Sequence, residues 1–144
     1  MCNAANLFQT ILAQMNCPGA FTQSIGVTIT QVAPQEAWGE LSPSDTHRNP
    51  LGTIHGGAIC TLMDAVGGAA GASSGYGCAT VDCNIHFIRP CQATQRLYCR
   101  ARAIKPRGRL QIFDVSVTTE FGALIAKGTY TYQLLNRIES EESL

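Results

Sequence analysis

The chain has 144 residues, of which 45% are hydrophobic, which suits one folded domain with its own core and excludes an intrinsically disordered chain. Its ten basic and ten acidic residues give no net charge, which argues against a nucleic-acid-binding protein, and no apolar run approaches the ~20 residues that span a bilayer. Charged residues make up 14% of the chain, below the usual ~25%, so we expect an oligomer to cover part of the surface.

The sequence predicts the order helix, two strands, long loop, helix and four strands. These elements span, in that order, residues 3–16, 21–33, 37–41, 42–56, 57–72, 78–88, 95–105, 109–120 and 123–135. Cys17-Pro18-Gly19 ends the first helix, and with it the N-terminal segment 1–17, because proline and glycine stop helices. The polar residues 136–144 are expected to form a frayed tail.

Four consecutive strands with short breaks predict an antiparallel meander, and the helix 57–72 must then cover one face of the sheet. Strict alternation along strand 78–88 predicts two sets of side chains on opposite faces, Val81, Cys83, Ile85 and Phe87 against Thr80, Asp82, Asn84 and His86. We therefore expect a single α+β domain over residues 1–144, in which an antiparallel sheet wraps around one central helix.

Helix 57–72 has two unlike faces when its residues are placed at 100° intervals. One is an apolar stripe that should pack on the sheet, formed by Ile59, Leu62, Met63, Val66 and Ala70. The other carries Asp64 among small residues, which are Gly57, Cys60, Thr61, Gly68 and Gly71. Because glycine inside a helix costs about 0.5–1 kcal/mol relative to alanine, the interior glycines Gly67, Gly68 and Gly71 indicate close packing against another backbone or a thin ligand.

Asp64 is the only charged residue of this helix, and two interpretations are open for it. Its carboxylate either bonds to a neighbouring backbone or hydroxyl group, or it serves as a base. His55, Gly56 and Gly57 precede it at the helix start, where free backbone N–H groups can polarise a carbonyl and hold an oxyanion. A pair of such donors and a carboxylate on one helix are typical of acyl transfer.

The segment Asn49-Pro-Leu-Gly52-Thr-Ile-His55-Gly56-Gly57, followed by Asp64 seven residues after the second glycine, resembles the signature of hotdog-fold acyl-CoA thioesterases. The resemblance is strongest to their PaaI-like and THEM-type branch. It extends over most of the chain and includes two further stretches, Val81-Asp82-Cys83-Asn84 with Arg89-Pro90 at the strand end, and the late strand with Gly128. It implies a hotdog fold and hydrolysis of acyl-CoA to free acid and CoA.

The resemblance also implies roles for five residues. Asp64 matches the catalytic carboxylate that activates water, and Gly56 matches the glycine whose N–H polarises the thioester carbonyl. Asn49 matches the side chain that helps to hold the thioester or the water, and His55 matches a supporting histidine. Thr80 falls where related enzymes place a hydroxyl near the water, although it is equally interpreted as a strand threonine bonded to the backbone.

The family forms its active site between two subunits, which implies a homodimer and, by the pairing of dimers, a homotetramer. The stretch 89–109 contains seven basic residues and no acidic one, a pattern that suits the phosphates of coenzyme A. The predicted substrate-binding residues are Gly57, Arg89, Arg107 and Arg109. Alternation within the same stretch puts a second group on one strand face, where it is equally a solvated surface, namely Arg96, Arg100 and Arg102.

Neither a metal nor a cofactor is expected, because coenzyme A is part of the substrate and a carboxylate with N–H donors is sufficient for this hydrolysis. The seven cysteines are odd in number and include no CxxC pair, which favours structural free thiols in a reducing cytoplasm. A hotdog hydratase or dehydratase that pairs His55 with Asp64, and a non-catalytic acyl-CoA-binding module, are the alternatives. The residues predicted along the acyl tunnel are mostly small, so aryl-acetyl, short and medium acyl groups all remain open. They are Ala58, Thr61, Ala65, Gly68 and Tyr76.

Overall fold

A computed structural model describes residues 3–92 and 95–139 of the chain. The helices are α1 (Ala4–Met15), α2 (Phe21–Ser24) and α3 (Gly56–Ala72), with a 3-10 turn at Asp45–His47. The strands are β1 (Val27–Ala33), β2 (Glu36–Leu41), β3 (Tyr76–Phe87), β4 (Leu97–Lys105), β5 (Leu110–Thr119) and β6 (Leu124–Arg137). None of the described helices combines the length and the apolarity that crossing a membrane requires.

The six strands form one antiparallel sheet in the order β1-β2-β4-β5-β6-β3, with α3 packed against one face. The predicted α+β class and hotdog arrangement, a sheet wrapped around a central helix, are confirmed. The predicted apolar stripe of α3 is confirmed as well. Each of its members is at most 4% exposed, namely Ile59, Leu62, Met63, Val66 and Ala70.

The predicted four-strand meander is wrong for β3. Strands β4, β5 and β6 do follow one another across the sheet, but β3 pairs with β6 at the far edge and β4 pairs with β2. Pro and Gly breaks mark where strands end, whereas the neighbour that each strand pairs with depends on which buried faces meet. Leu41 of β2 lies opposite Leu97 of β4, and both are fully buried.

The predicted strand 21–33 begins later than expected, because its first residues form α2. The Ala20 carbonyl accepts hydrogen bonds from the amides of Gln23 and Ser24, and Gly26, at φ +80°, then turns the chain into β1. The left-handed backbone at this glycine explains why a helical turn and a strand can follow each other directly.

The predicted fraying is wrong for residues 136–138. Asn136 and Arg137 still belong to β6, and the Ile138 amide donates to the Gly75 carbonyl at 2.9 Å. Because Ile138 packs against the core, it holds the end of the strand in place. Residues 140–144 of the predicted tail lie outside the described residues.

Candidate active site

The carboxylate of Asp64 lies in the wall of a cavity and is half-buried. Thr80 Oγ1 donates to Asp64 Oδ1 at 2.6 Å. The Tyr132 hydroxyl donates to the main-chain carbonyl of Asp64 at 2.9 Å and lies 3.4 Å from Oδ1. Among the residues that the structure describes, none donates to Oδ2. The second oxygen of the carboxylate is therefore available to a water molecule.

Thr80 reaches Asp64 because β3 contains a bulge. The pairing of β3 with β6 shifts between Thr80 and Asp82, so that Thr80 lies opposite Tyr132 while Asp82 lies opposite Thr131. Residues directly opposite each other in an antiparallel pair share a face, and Tyr132 faces α3. The alternation predicted for this strand is therefore wrong at Thr80, because one extra residue reverses the side chain's direction.

The cavity beside Asp64 has a volume of about 340 Å³. Ile11 and Met15 of α1 form one wall, and Ala65 and Gly68 of α3 form another. Cys78 of β3 also lines it, and its thiol donates to the Gly68 carbonyl at 3.3 Å. Of the five predicted tunnel residues, Ala65 and Gly68 thus border a largely apolar space next to the carboxylate, whereas Ala58, Thr61 and Tyr76 do not line it.

Cys78 is a poor nucleophile in spite of its place beside Asp64. Burial and then the negative charge of Asp64 raise the pKa of its thiol to about 11. Near neutral pH the group is therefore a neutral thiol, and the thiolate is the form that attacks. The other described cysteines, Cys17, Cys60, Cys83, Cys91 and Cys99, are free thiols too. Within residues 3–92 and 95–139, no three His, Cys, Asp or Glu side chains come together as a metal site.

His55 caps the amino end of α3. Its Nδ1 accepts a hydrogen bond from the Gly57 amide at 2.8 Å, so the expected pair of free donors is reduced to one. The amide of Gly56 has no acceptor in the described part of the chain, whereas Gly57 can offer a substrate no main-chain donor in this arrangement. The free Gly56 N–H lies at the positive end of the helix dipole.

Asn49 organises the loop that leads into α3. Its Oδ1 accepts from the amides of Leu51 at 2.9 Å and Thr53 at 3.1 Å, and its Nδ2 donates to Thr53 Oγ1 at 2.9 Å. A side-chain amide has two N–H bonds, so one remains for a ligand.

A second cavity of about 400 Å³ brings together Asn49, Gly56 and Arg89. Within one chain, the predicted catalytic residues therefore form two groups. Asp64 and Thr80 border the first cavity, while the loop and the start of α3 border the second. Eight residues of helix separate Gly56 from Asp64, a rise of about 12 Å.

The predicted CoA-binding arginines lie at opposite ends of β3. Arg89 follows the carboxyl end of the strand, while Arg107 and Arg109 belong to the turn between β4 and β5. The Leu134 amide donates to the Arg109 carbonyl at 2.7 Å, and Leu134 lies opposite Cys78 near the amino end of β3.

Two other arginines of the basic stretch pair with acids on the outer face of the sheet. Arg100 contacts Glu36 in an ion pair, and Arg96 lies 3.5 Å from Glu40. This favours the interpretation of that face as a solvated strand surface.

Tyr132 is the contact of Asp64 that the sequence analysis missed. Nothing in the local pattern of β6 marks it, because its relation to Asp64 depends on the pairing of β6 with β3. The one available signal is Gly67, a helix glycine that needs a packing reason. A Cβ at this position would overlap the Tyr132 hydroxyl.

Comparisons with known proteins agree with this geometry. Acyl-coenzyme A thioesterase 13 of Mus musculus is 30% identical over 134 residues, which cover 91% of this chain and 96% of that one. The E. coli PaaI protein from the phenylacetic acid degradation operon superposes with a TM-score of 0.86 at 18% identity, covering 93% of this chain and 96% of that one. A Streptococcus mutans protein solved with acetyl CoA bound has a TM-score of 0.75 at 22% identity, covering 78% of this chain and 91% of that one.

The two structural neighbours show the shared fold. Residues 51–126 match the thioesterase superfamily, and this range includes Gly56, Asp64 and Thr80. Together with the 30% identity to the mouse enzyme over nearly the whole chain, the match shows that this chain belongs to the thioesterase superfamily.

Proposed function

We propose that this chain hydrolyses acyl-CoA thioesters to a free acid and CoA, with Asp64 as the base that activates water. The observation that carries the proposal is the Asp64 carboxylate, which is held through Oδ1 and open at Oδ2 beside an apolar cavity. Membership of the thioesterase superfamily supports it, as do the name of the mouse relative and the acetyl CoA bound to the S. mutans protein.

The proposed site is shared between two copies of the chain. Asp64 and Gly56 lie about 12 Å apart along α3, too far to act on the same carbonyl within one copy. Strand β3, with 12 residues, is an edge of the sheet, and an unpaired edge can accept a strand from another copy. Pairing β3 with its own twin around a two-fold axis runs the two strands antiparallel.

Such a pairing, centred near Cys83 and Asn84, sets Thr80 of one copy opposite Phe87 of the other. Phe87 packs against Gly56, since a Cβ there would lie 3.2 Å from its ring. The carboxylate of one copy would thus meet the free N–H of the other. The pairing would also cover Val81 and Phe87, which are 58% and 53% exposed in the single chain.

The chemistry then uses one carboxylate, one main-chain donor and one amide. Asp64 Oδ2 takes a proton from water while the water oxygen bonds to the thioester carbon. The developing oxyanion accepts from the Gly56 N–H and the spare N–H of Asn49. When the C–S bond breaks, the proton held by Asp64 passes to the CoA sulfur. His55 acts in support, because it fixes the first turn of α3.

The two ends of the substrate meet different surfaces. The acyl group would enter the cavity beside Asp64, and the phosphates of CoA would meet the arginines. In the proposed pairing, Arg89 of one copy comes near Cys78 of the other, and so approaches the turn that carries Arg107 and Arg109. Arginine suits these phosphates because its guanidinium donates two bonds at once.

Replacement of the carboxylate tests this function. We expect Asp64→Asn to lower kcat by about 10²–10⁴, the usual contribution of general acid–base catalysis, with the fold intact. The rate of thiol release from a panel of acyl-CoA substrates measures the effect. Circular dichroism and the oligomeric state serve as controls for folding. A variant that hydrolyses its best substrate as fast as the wild type would reject the proposal.

The same assay separates the two alternatives. A hydratase or dehydratase would change the acyl group without releasing thiol, and a binding module would hold acyl-CoA without turnover. The proposal further includes a homotetramer built from the shared-site dimers, a cytoplasmic setting and no cofactor, as the resemblance and the free thiols predict.

A further inference from the structure

We infer that the Tyr132 hydroxyl is a positioning group for the Asp64 carboxylate, a role that rests on the proposed thioester hydrolysis. This hydroxyl contacts both the main-chain carbonyl of Asp64, at 2.9 Å, and carboxylate Oδ1, at 3.4 Å. Thr80 Oγ1 donates to the same Oδ1 at 2.6 Å. The hydroxyl has one proton, which it shares between the carbonyl and the more distant Oδ1. Together with the shorter bond from Thr80, this contact fixes the rotamer of the Asp64 side chain and leaves Oδ2 as the oxygen that accepts the proton of water.

The packing of β6 against α3 holds this hydroxyl in place. Tyr132 lies opposite Thr80 across the β3–β6 pairing and is 1% exposed. Its ring extends under α3 to Gly67, where any side chain would overlap the hydroxyl. Gly67 is one helical turn beyond Asp64, so the glycine gap opens directly beside the carboxylate that the hydroxyl contacts. A glycine in the middle of a helix is unfavourable, and this contact supplies its reason.

Tyr132 acts here only as a neutral donor. Burial, and then the negative charge of Asp64, raise the pKa of its hydroxyl. The group keeps its proton over the whole working range, so it can hold the carboxylate but does not compete with it as a base. This separates positioning from proton transfer, which remains with Asp64.

Tyr130 provides a matched control within the same strand. It is also 1% exposed, and its ring stacks on that of Tyr132 with centroids 6.1 Å apart. Its hydroxyl donates to the main-chain carbonyl of Cys60 at 3.3 Å, one helical turn before Asp64. Both tyrosines thus bond to a carbonyl of α3 from the same strand, but only Tyr132 also reaches a carboxylate.

The test compares Tyr132→Phe with Tyr130→Phe. Loss of a full hydrogen bond to a charged group corresponds to a change of about ten- to a hundredfold, and a proton shared with the main-chain carbonyl corresponds to the lower end, about tenfold. We expect Tyr132→Phe to lower kcat by that factor with a smaller change in KM, because the hydroxyl contacts Asp64 and the side chain, although it borders the acyl cavity, is 1% exposed. Tyr130→Phe should stay within about twofold of the wild type. Thermal unfolding of both variants checks that each is folded and shows how far each hydroxyl stabilises the fold.

A double-mutant cycle adds a measurement that a structural role would not move. If the hydroxyl acts through the carboxylate, Tyr132→Phe has no further effect on the residual hydrolysis by Asp64→Asn. An equal loss in both backgrounds, or a kcat of Tyr132→Phe that matches Tyr130→Phe, overturns the inference while the proposed function stands. Absence of hydrolysis by the wild-type chain rejects the proposed function and this inference together.

Discussion

At the amino end of α3 the polar groups are held by their own loop, whereas Asp64, two turns further along the helix, is held by strands from later in the chain. His55 caps Gly57, and Asn49 bonds to Leu51 and Thr53. Asp64 instead receives the hydroxyls of β3 and β6. Local sequence thus sets the geometry at the start of α3, whereas tertiary packing sets the geometry around Asp64. Within the described residues, the start of α3 supplies the hydrogen-bond donors but no base, and the Asp64 region supplies the base but no main-chain donor.

The largest effect should come from an experiment that combines a variant at the Asp64 region with a variant at the start of α3. Asp64→Asn and Asn49→Ala are each expected to be nearly inactive. After the two variants are mixed and their subunits exchange, half of the dimers contain one copy of each. Each of these has one site with both substitutions and one site with neither, so about a quarter of wild-type activity should return. Thiol release before and after exchange measures the recovery.

The matched control mixes two variants from the same end. Asp64→Asn with Thr80→Ala leaves one substitution in every site, whichever copies pair, so no comparable recovery is expected. Equal recovery in both mixtures, or none in either, would contradict a site divided between two copies in the way proposed.

The next effect concerns the cavity at the Asp64 end. A cavity of 340 Å³ is more than twice the ~150 Å³ of one that binds benzene, so we expect medium-chain or aryl acyl groups to fit. Gly68→Leu should fill this space and lower kcat/KM for such substrates about tenfold or more, on the scale of excluding a few methylenes, while acetyl-CoA is hardly affected. A uniform loss across acyl lengths would argue that the acyl group lies elsewhere.

The smallest effect compares two adjacent glycines of the same helix. A methyl group at position 68 would lie 3.8 Å from the Tyr132 ring, whereas one at position 67 would overlap its hydroxyl. Gly68→Ala should therefore stabilise the fold by up to about 1 kcal/mol through helix propensity, and Gly67→Ala should destabilise it by about 1–3 kcal/mol. Chemical denaturation of both variants checks the opposite signs; equal stabilisation would mean that Tyr132 has room to move.

Much of the fold, and the part of the site at the start of α3, could be predicted from the sequence because both depend on local patterns. The apolar spacing of α3 and the motif around Gly56 and Asp64 are local patterns. The direction of the Thr80 side chain depends on a bulge. The role of Tyr132 depends on its pairing with Thr80, which lies 52 residues earlier in the chain. Period-two alternation contains neither kind of information.

The same limit explains the error in topology. Strand β3 was expected beside β4, but buried faces rather than chain order decide which edges meet. The placement of β3 at the outer edge brings Thr80 to Asp64 and leaves a long strand free to pair.

The distance between Gly56 and Asp64 along α3 has a consequence for how abundant the protein must be. If the base and the oxyanion donor of one site come from different copies, a single chain contains no complete active site. Dilution below the dissociation constant of the dimer would then stop the reaction without unfolding the chain. The rate per chain would rise with the concentration of the protein, because that concentration sets the fraction of chains in dimers.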